Sequence, residues 1–193
     1  GEDCLGIMPT GAGKSICYQI PALIFSGVTI VISPLISLMK DQVDALNEVG
    51  IPATFINSTL SNSEYSQTIE NIVHNVYKII YVAPERLNSD TFINLLNTID
   101  ISMISIDEAH CVSQWGHDFR PSYREIANVI LNLKKRPIVS AFTATATQIV
   151  KDDIINLLHL SNPFTLTTGF DRANLNFSVE IPENKNDFII DFL

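Results

Sequence analysis

The chain alternates short apolar, β-branched runs with amphipathic segments, and this alternation restricts its possible folds more than any other feature. In the segment 35–49, apolar residues recur three and four positions apart, as one face of a helix requires. Buried strands that alternate with helices are typical of a parallel sheet with right-handed crossovers. We therefore expect the α/β class, with a mostly parallel β-sheet flanked by helices on both faces. The pattern predicts strands at 4–7, 28–33, 53–57, 78–82, 101–106, 137–142 and 164–168, and helices at 14–19, 35–49, 61–75, 91–98, 123–133 and 147–158.

Composition narrows the class of protein but does not identify an activity. Of 193 residues, 46% are hydrophobic and 17% are charged, which fits one globular domain with room for a fragment of a second. No apolar run is long enough to span a bilayer, and the acidic start of the chain does not resemble a signal peptide. The three cysteines are not spaced for a disulfide framework or a zinc site. A reducing compartment is therefore expected, either the bacterial cytosol or a eukaryotic nucleus.

The chain is acidic, with a net charge of −9 and a pI near 4.7. Phosphate binding requires local lysine and arginine, so this charge argues against a nucleic-acid surface that covers the whole domain. Whole-chain charge says little about a single face, however, and a local groove for nucleic acid is compatible with it.

Residues 8–15, MPTGAGKS, follow the first predicted strand and carry the core of a phosphate-binding loop. Its glycines let backbone N–H groups turn toward phosphate oxygens, and a helix that begins at Lys14 directs its positive end at the same anion. Lys14 can reach the β- and γ-phosphates of a nucleotide, and the Ser15 hydroxyl can ligate Mg²⁺. The strict pattern has glycine in place of Met8, and a chance glycine turn at a helix start is the alternative. The expected nucleotide-binding residues are Thr10, Gly11, Ala12, Gly13, Lys14 and Ser15.

Two carboxylates, Asp107 and Glu108, stand at the end of the apolar run 101–106. Desolvating a carboxylate is costly, so an acidic pair at the end of a buried strand suggests a cation nearby. Asp107 can hold Mg²⁺ through water, and Glu108 can orient and deprotonate an attacking water. Helix capping is the alternative, because aspartate is favoured at helix N-termini. Parallel α/β sheets bind ligands at the carboxyl ends of their strands, where this pair and the loop 8–15 both fall, so we predict one shared metal–nucleotide site.

Six segments in a fixed order extend the pattern beyond this site. They are MPTGAGKS (8–15), VISPLISLMKDQV (31–43), YVAPERL (81–87), DEAHCVSQWGHDFRPSY (107–123), AFTATAT (141–147) and GFDRANL (169–175). The series resembles the ordered motifs of the RecQ family of superfamily 2 DNA helicases, of the DEAH type, over nearly the whole chain. DEAH alone is shared by many helicases, whereas the extension through WGHDFRPSY indicates RecQ. The form Met8-Pro9-Thr10 is also the one this family shows.

The resemblance implies an enzyme, namely an ATP-dependent DNA helicase built on a RecA-like P-loop domain. Such a motor couples hydrolysis of Mg²⁺-bound ATP to 3′-to-5′ translocation on single-stranded DNA and to duplex unwinding, in DNA repair and recombination. Its implied partners are single-stranded DNA, DNA duplex junctions and a second RecA-like domain, with no membrane. His110 would link the γ-phosphate site to neighbouring motifs, and a structural histidine is the alternative. The implied catalytic residues are Lys14, Asp107, Glu108 and His110, with Ser15 and Asp107 at the Mg²⁺ ion.

The stretch 115–120 looks like the aromatic-rich loop of this family, which senses single-stranded DNA and couples it to hydrolysis. Aromatic rings stack on bases irrespective of sequence, and arginine can pair with phosphate. The alternative is that both aromatic rings pack against the protein, or that one packs while the other stacks. Lys40 could equally be a solvated helix residue, and Thr143 and Thr145 could be hydroxyls that cap the helix at 147. The implied DNA-binding or coupling residues are Trp115, His117, Phe119, Arg120, Ser33, Lys40, Arg86, Thr143 and Thr145.

The resemblance also divides the chain. We expect 1–180 to form the first RecA-like domain without its upstream glutamine motif, and 181–193 to be a linker and the start of a second RecA-like domain. The arginine fingers of that second domain would lie beyond residue 193, and such fingers can be worth roughly 10³–10⁵ in rate. The chain alone is therefore expected to bind ATP weakly, to hydrolyse it very slowly and to unwind nothing.

Other functions stay open at this stage. One is a superfamily 2 motor that acts on RNA or translocates without unwinding. Another is a non-catalytic nucleotide- or DNA-binding module that uses the fold as a scaffold. The complete set of Lys14, Ser15, Asp107 and Glu108 disfavours the second, because a dead motor need not keep every catalytic group. A metabolic P-loop kinase would leave the segment 111–123 unexplained.

Overall fold

The computed structural model describes residues 1–169, 178–179, 181–182 and 184–192. Seven strands in this part of the chain form one sheet in the order β3-β4-β2-β5-β6-β1-β7, and every neighbouring pair is parallel. The prediction of a mostly parallel sheet is confirmed. The strands are β1 (Cys4–Ile7), β2 (Val28–Ile32), β3 (Ala53–Ile56), β4 (Ile79–Val82), β5 (Ile101–Ile106), β6 (Ile138–Thr143) and β7 (Phe164–Thr167).

Helices cover both faces of the sheet, as predicted. Alternate residues of a strand point to opposite faces, so Val31 packs with Tyr18 and Met39 on one face while Ile30 and Ile32 join the larger core on the other. The α-helices of the described part are α1 (Lys14–Ile24), α2 (Ile36–Glu48), α3 (Asn62–Val73), α4 (Asp90–Leu96), α5 (Glu125–Asn132), α6 (Gln148–Leu157) and α7 (Lys185–Phe192). Short 3-10 helices span Pro84–Asn88, Ala109–Val112 and Pro121–Arg124.

The starts of α3 and α6 follow local sequence signals. The Ser61 hydroxyl accepts a hydrogen bond from Glu64 N, while the Glu64 carboxylate accepts one from Ser61 N at 2.8 Å, which is the capping box that starts α3. At α6 the Thr147 hydroxyl accepts a hydrogen bond from Val150 N at 3.4 Å. The helix is therefore capped by Thr147, and the alternative in which Thr143 and Thr145 cap it is wrong.

Three segments differ from the prediction. Helix α1 continues through Pro21 to Ile24 rather than ending at 19. Strand β7 is largely exposed instead of buried on both faces, because among the described strands it lies at the sheet edge, next to β1. Helix α7 begins at Lys185, in the stretch 181–193, where the pattern predicted no helix.

Parallel strands deliver the motifs to one edge of the sheet. Strands β1, β2, β5 and β6 end at this edge and lead into the phosphate loop, Ser33, the Asp107–Glu108 pair and the segment 144–147. Because β5 lies between β2 and β6, and β6 lies between β5 and β1, these segments are neighbours in space. The motif at 169–175 falls outside the described residues after Gly169.

Candidate active site

The phosphate loop has the backbone shape that its glycines predict. Gly11 and Gly13 adopt φ values of +82° and +83°, the left-handed region that glycine enters without strain. Gly13 is the N-cap of α1, and the stretch 10–13 is exposed. The Lys14 ammonium donates a hydrogen bond to the Met8 carbonyl at 3.2 Å and so lies folded over the loop. An anion bound in the loop could take the place of that carbonyl as the partner of Lys14.

Asp107 is held rigidly and is nearly out of reach of solvent. Its backbone N donates to Ile32 O at 2.8 Å, and its carbonyl accepts the Tyr123 hydroxyl at 2.9 Å. The side chain is 8% exposed, and its carboxylate accepts the Glu108 N–H at 3.0 Å. Burial, together with the charge of Glu108, raises the pKa of Asp107 to about 6, while the charge of Lys14 opposes this rise. A desolvated carboxyl with a raised pKa gains from a cation, so this residue fits a metal ligand.

Glu108 has an unusual backbone conformation, with φ at +48°. Such a left-handed turn is uncommon for residues other than glycine and costs free energy of order 1–3 kcal/mol. The turn carries the Glu108 carboxylate to 3.3 Å from Nδ1 of His110. That contact, with help from the charge of Lys14, lowers the pKa of Glu108. The carboxyl groups of Asp107 and Glu108 therefore have pKa values shifted in opposite directions. This difference suits Asp107 to metal binding and Glu108 to the role of a base.

His110 is buried and joins the ends of β5 and β6. Its Nδ1 lies 2.8 Å from the Thr143 hydroxyl, which in turn donates to the Thr145 carbonyl at 3.2 Å. The Glu108 carboxylate, 3.3 Å from Nδ1, can only accept a hydrogen bond, and the Thr143 hydroxyl has the Thr145 carbonyl as its own acceptor, so we assign the hydrogen to Nδ1 of His110. His110 therefore presents an N–H toward both Thr143 and Glu108.

The loop after the Ala109–Val112 helix folds back over His110. The rings of His110 and His117 stack with centroids 3.9 Å apart and an angle of 19° between their planes. Gly116 approaches so closely that an added Cβ would lie 2.3 Å from the His110 carbonyl oxygen. Trp115 is 75% exposed. It borders a pocket of about 340 Å³ that is also lined by His110, Gly116, His117, Thr145, Ala146, Thr147 and Val150.

The two aromatic side chains of this loop have different environments. Phe119 is half-buried, and the Arg124 guanidinium lies 5.1 Å from its ring centroid, so this ring packs while Trp115 stays open. Arg120 forms hydrogen bonds to Asp118 at 3.0 and 3.1 Å and donates to the Pro34 carbonyl at 3.3 Å. The cation of Arg120 is therefore already paired in this structure.

The other predicted DNA-binding residues differ in their contacts. Ser33 is buried, and its hydroxyl has no hydrogen-bond partner in the described part of the chain, although it lies near enough to Asp107 to lower its pKa. Arg86 donates to the Asn57 carbonyl at 2.6 Å, and its guanidinium lies 5.4 Å from the centroid of the Tyr65 ring. Lys40 is exposed on α2. The structure thus brings Ser33 to the acidic pair, whereas Arg86 and Lys40 make no such contact.

Two supporting residues were missed by sequence reasoning. Tyr123 fixes the backbone of Asp107, and the Ser113 hydroxyl accepts a hydrogen bond from Trp115 N at 3.1 Å. Both lie inside the motif 107–123, which was the available signal. Their roles depend on inward-facing hydroxyl groups, and motif spacing does not show the direction of a side chain.

The described residues contain no cluster of three or more His, Cys, Asp or Glu side chains that could hold a metal by themselves. A Mg²⁺ ion here would instead use Ser15, Asp107, phosphate oxygens and water, which is how Mg²⁺ is commonly held with nucleotides. None of the helices in the described ranges is both long and apolar enough to cross a membrane.

Comparison with known proteins gives a family. A model described as DEAD/DEAH box helicase matches residues 1–153. ATP-dependent DNA helicase RecQ of Bacillus subtilis is 57% identical over 187 residues, which is 97% of this chain and 32% of that protein. The protein of the same name from Haemophilus influenzae is 46% identical over 180 residues, 93% of this chain and 29% of that protein. The chain thus spans about a third of the length of these relatives.

A solved structure supports the same assignment at the level of the fold. The helicase domain of Pyrococcus furiosus Hef matches with a TM-score of 0.65 at 22% identity, over 86% of this chain and 35% of that one. The RecA-like fold expected from the sequence is confirmed by this match. The resemblance to RecQ is confirmed by the curated relatives. The chain belongs to the DEAD/DEAH box helicase family, as a motor domain of the RecQ type.

Proposed function

We propose that this chain is the ATP-binding motor domain of an ATP-dependent DNA helicase that moves 3′ to 5′ along single-stranded DNA and unwinds duplexes. The observation that carries the proposal is the geometry of the site: the phosphate loop after β1 and the Asp107–Glu108 pair after β5 lie at the same edge of the sheet, with the Glu108 carboxylate 3.3 Å from His110 Nδ1. The curated relatives named above are ATP-dependent DNA helicases, which supports the same activity.

The nucleotide half of the mechanism follows from charge and position. Lys14 and the N–H groups of the loop would bind the β- and γ-phosphates, and Ser15 and Asp107 would hold the Mg²⁺ ion. When bound, Mg²⁺ would neutralise the negative charge that develops on the phosphate oxygens during hydrolysis. Glu108 stays ionised next to His110, so its carboxylate can orient a water and accept its proton.

The DNA half of the mechanism would act through His110. Trp115 offers an open ring for base stacking, and two residues later His117 stacks on His110. If DNA binding shifts this loop, the stacking of His117 on His110 would be disturbed. The N–H that His110 directs at Glu108 and Thr143 would then change its orientation. Arg120 would exchange its Asp118 partner for a DNA phosphate. DNA binding would thereby change the orientation of the base that activates water.

The full-length protein would supply what this chain lacks for turnover. We propose that 1–180 is the first RecA-like domain and that 181–193 leads into a second one, whose arginine fingers complete the nucleotide site. The isolated chain would then hydrolyse ATP very slowly and unwind nothing. The DNA partners would be single strands and duplex junctions, in the cytosol or nucleus.

The test is ATP hydrolysis by the full-length protein with single-stranded DNA, with RNA and without nucleic acid, followed by unwinding of duplexes with a 3′ or a 5′ tail. We expect stimulation by DNA and unwinding of the 3′-tailed duplex. Equal stimulation by RNA would indicate an RNA motor, and hydrolysis without stimulation by any nucleic acid would refute the proposed coupling.

A further inference from the structure

Ser113 is buried at the base of the exposed loop that carries Trp115, and the nucleotide site does not use its hydroxyl. The Ser113 Oγ donates to Oδ2 of Asp153 at 2.6 Å and accepts a hydrogen bond from Trp115 N at 3.1 Å. One hydroxyl therefore points its hydrogen toward α6 and its oxygen toward the loop. A hydrogen bond to a carboxylate is stronger than one between neutral groups.

The bond joins parts of the chain that are 40 residues apart. Asp153 lies on α6, and residues at the start of this helix, Thr147 and Val150, line the pocket beside Trp115. Helix α6 also follows β6, whose last residue Thr143 contacts His110. The helix fastened to the Trp115 loop is thus the continuation of the strand that contacts the catalytic histidine.

Other bonds in this region keep the loop closed on itself. Gly116 N donates to Ser113 O at 3.1 Å, Ser113 N donates to His110 O at 3.1 Å, and Arg120 N donates to Cys111 O at 2.9 Å. These backbone bonds remain within the segment 110–120, so they can move with it. The Ser113–Asp153 bond differs from these because it fastens the start of the loop to α6, while the bond from Arg120 to the Pro34 carbonyl holds the end of the loop.

We propose that Ser113 and Asp153 are positioning residues that hold Trp115 beside the pocket and pass its displacement by single-stranded DNA to α6, which sets the DNA dependence of ATP hydrolysis. This inference rests on the proposed function. The side-chain hydrogen bonds of Ser113 and Asp153 go to each other and to Trp115 N, not to the phosphate loop or the acidic pair, so we expect hydrolysis without DNA not to require their bond.

The experiment measures ATP hydrolysis by the full-length protein over a range of oligo(dT) concentrations. Ser113→Ala and Asp153→Ala remove the bond, alone and together, whereas Asp153→Asn keeps an oxygen that can accept it. Asp152→Ala is the matched control, because Asp152 lies on the same helix but is exposed and accepts from Gln148 at 2.8 Å. Thermal midpoints are recorded for every variant.

Loss of the bond should raise the oligo(dT) concentration for half-maximal stimulation about tenfold, given the usual worth of a hydrogen bond to a charged group. Hydrolysis without DNA should stay within about twofold of wild type, and the double variant should be no worse than either single one, as for residues of one interaction. Asp153→Asn, whose neutral amide oxygen is a weaker acceptor, should fall between wild type and Asp153→Ala, and Asp152→Ala should resemble wild type.

If DNA stimulates hydrolysis by the wild type, either of two results overturns the inference. In the first, Ser113→Ala and Asp153→Ala need the same oligo(dT) concentration for half-maximal stimulation as the control Asp152→Ala. The other is a parallel fall of basal and stimulated rates with a lowered thermal midpoint, which means that the bond only stabilises the fold. A wild type that DNA does not stimulate would instead refute the proposed function, and this inference with it.

Discussion

The phosphate-loop side and the aromatic-loop side of the site are built in different ways. Asp107 is fixed by hydrogen bonds to its N–H, carbonyl and carboxylate and is almost entirely buried. Trp115, eight positions later, is 75% exposed, and its backbone N–H donates a hydrogen bond to the Ser113 hydroxyl. The difference teaches that the residue proposed for chemistry is buried and fixed by several hydrogen bonds, while the residue proposed to meet DNA is exposed to solvent. His110 and His117 stand between the two sides and contact each other.

The largest expected effect falls on the rigid side. Glu108→Gln keeps the shape of the side chain but cannot accept a proton, so hydrolysis by the full-length protein should fall about 10²–10⁴-fold. Binding of ATP should persist, whereas Lys14→Ala should weaken binding as well as hydrolysis. Glu70→Gln on α3 is the control for an acid-to-amide change far from the site. Retained hydrolysis in Glu108→Gln would remove Glu108 from the role of base.

On the phosphate-loop side, replacing Asp107 should increase the stability of the fold by an amount that depends on pH. The pKa of Asp107, at about 6 in the fold, lies above its ordinary value of 3.8. The ionised carboxylate therefore destabilises the metal-free fold at higher pH, and this effect disappears as the pH falls through that range. Asp107→Asn should raise the free energy of unfolding in EDTA by roughly 3 kcal/mol at about pH 8 and by little at about pH 4. Denaturant unfolding at both pH values measures this, and a gain that does not depend on pH would contradict the electrostatic cause.

A smaller effect is expected where the aromatic loop packs against His110. Gly116→Ala places a Cβ against the His110 carbonyl and must displace the loop, because backbone atoms cannot yield as a side chain can. DNA stimulation should fall about tenfold, the usual scale for losing one base-stacking contact. Gln114→Ala, an exposed neighbour in the same loop, should change little. Normal stimulation of Gly116→Ala would show that the packing of the loop on His110 is irrelevant to coupling.

The smallest effect is expected for Arg120 of the aromatic loop, whose guanidinium is paired with Asp118. Asp118→Asn frees Arg120 for phosphate, and since exposed ion pairs are worth about 0.2–1 kcal/mol, affinity for single-stranded DNA should rise about twofold to fivefold. Fluorescence anisotropy of a labelled oligonucleotide at low salt measures this change. Weaker binding would mean that Asp118 orients Arg120 for DNA instead of competing with the phosphate.

Sequence reasoning found the sheet because each strand is a short apolar run bounded by polar residues, as in the segment 101–106. It found β7 but not the exposure of its Phe164 and Leu166 side chains, since position at a sheet edge depends on tertiary neighbours. Motif spacing likewise found the acidic pair, but not the left-handed turn at Glu108 or the bond between Ser113 and Asp153. Those features arise only when the fold brings distant segments together.

The central claim is that Trp115 couples DNA to hydrolysis but takes no part in the chemistry. The most direct test is ATP hydrolysis by full-length Trp115→Ala with and without single-stranded DNA, with Trp115→Phe as the variant that keeps an aromatic ring. The claim predicts a basal rate close to wild type, stimulation reduced about tenfold or more in the alanine variant, and partial recovery in the phenylalanine variant. Unchanged stimulation of Trp115→Ala, or loss of its basal rate, would contradict it.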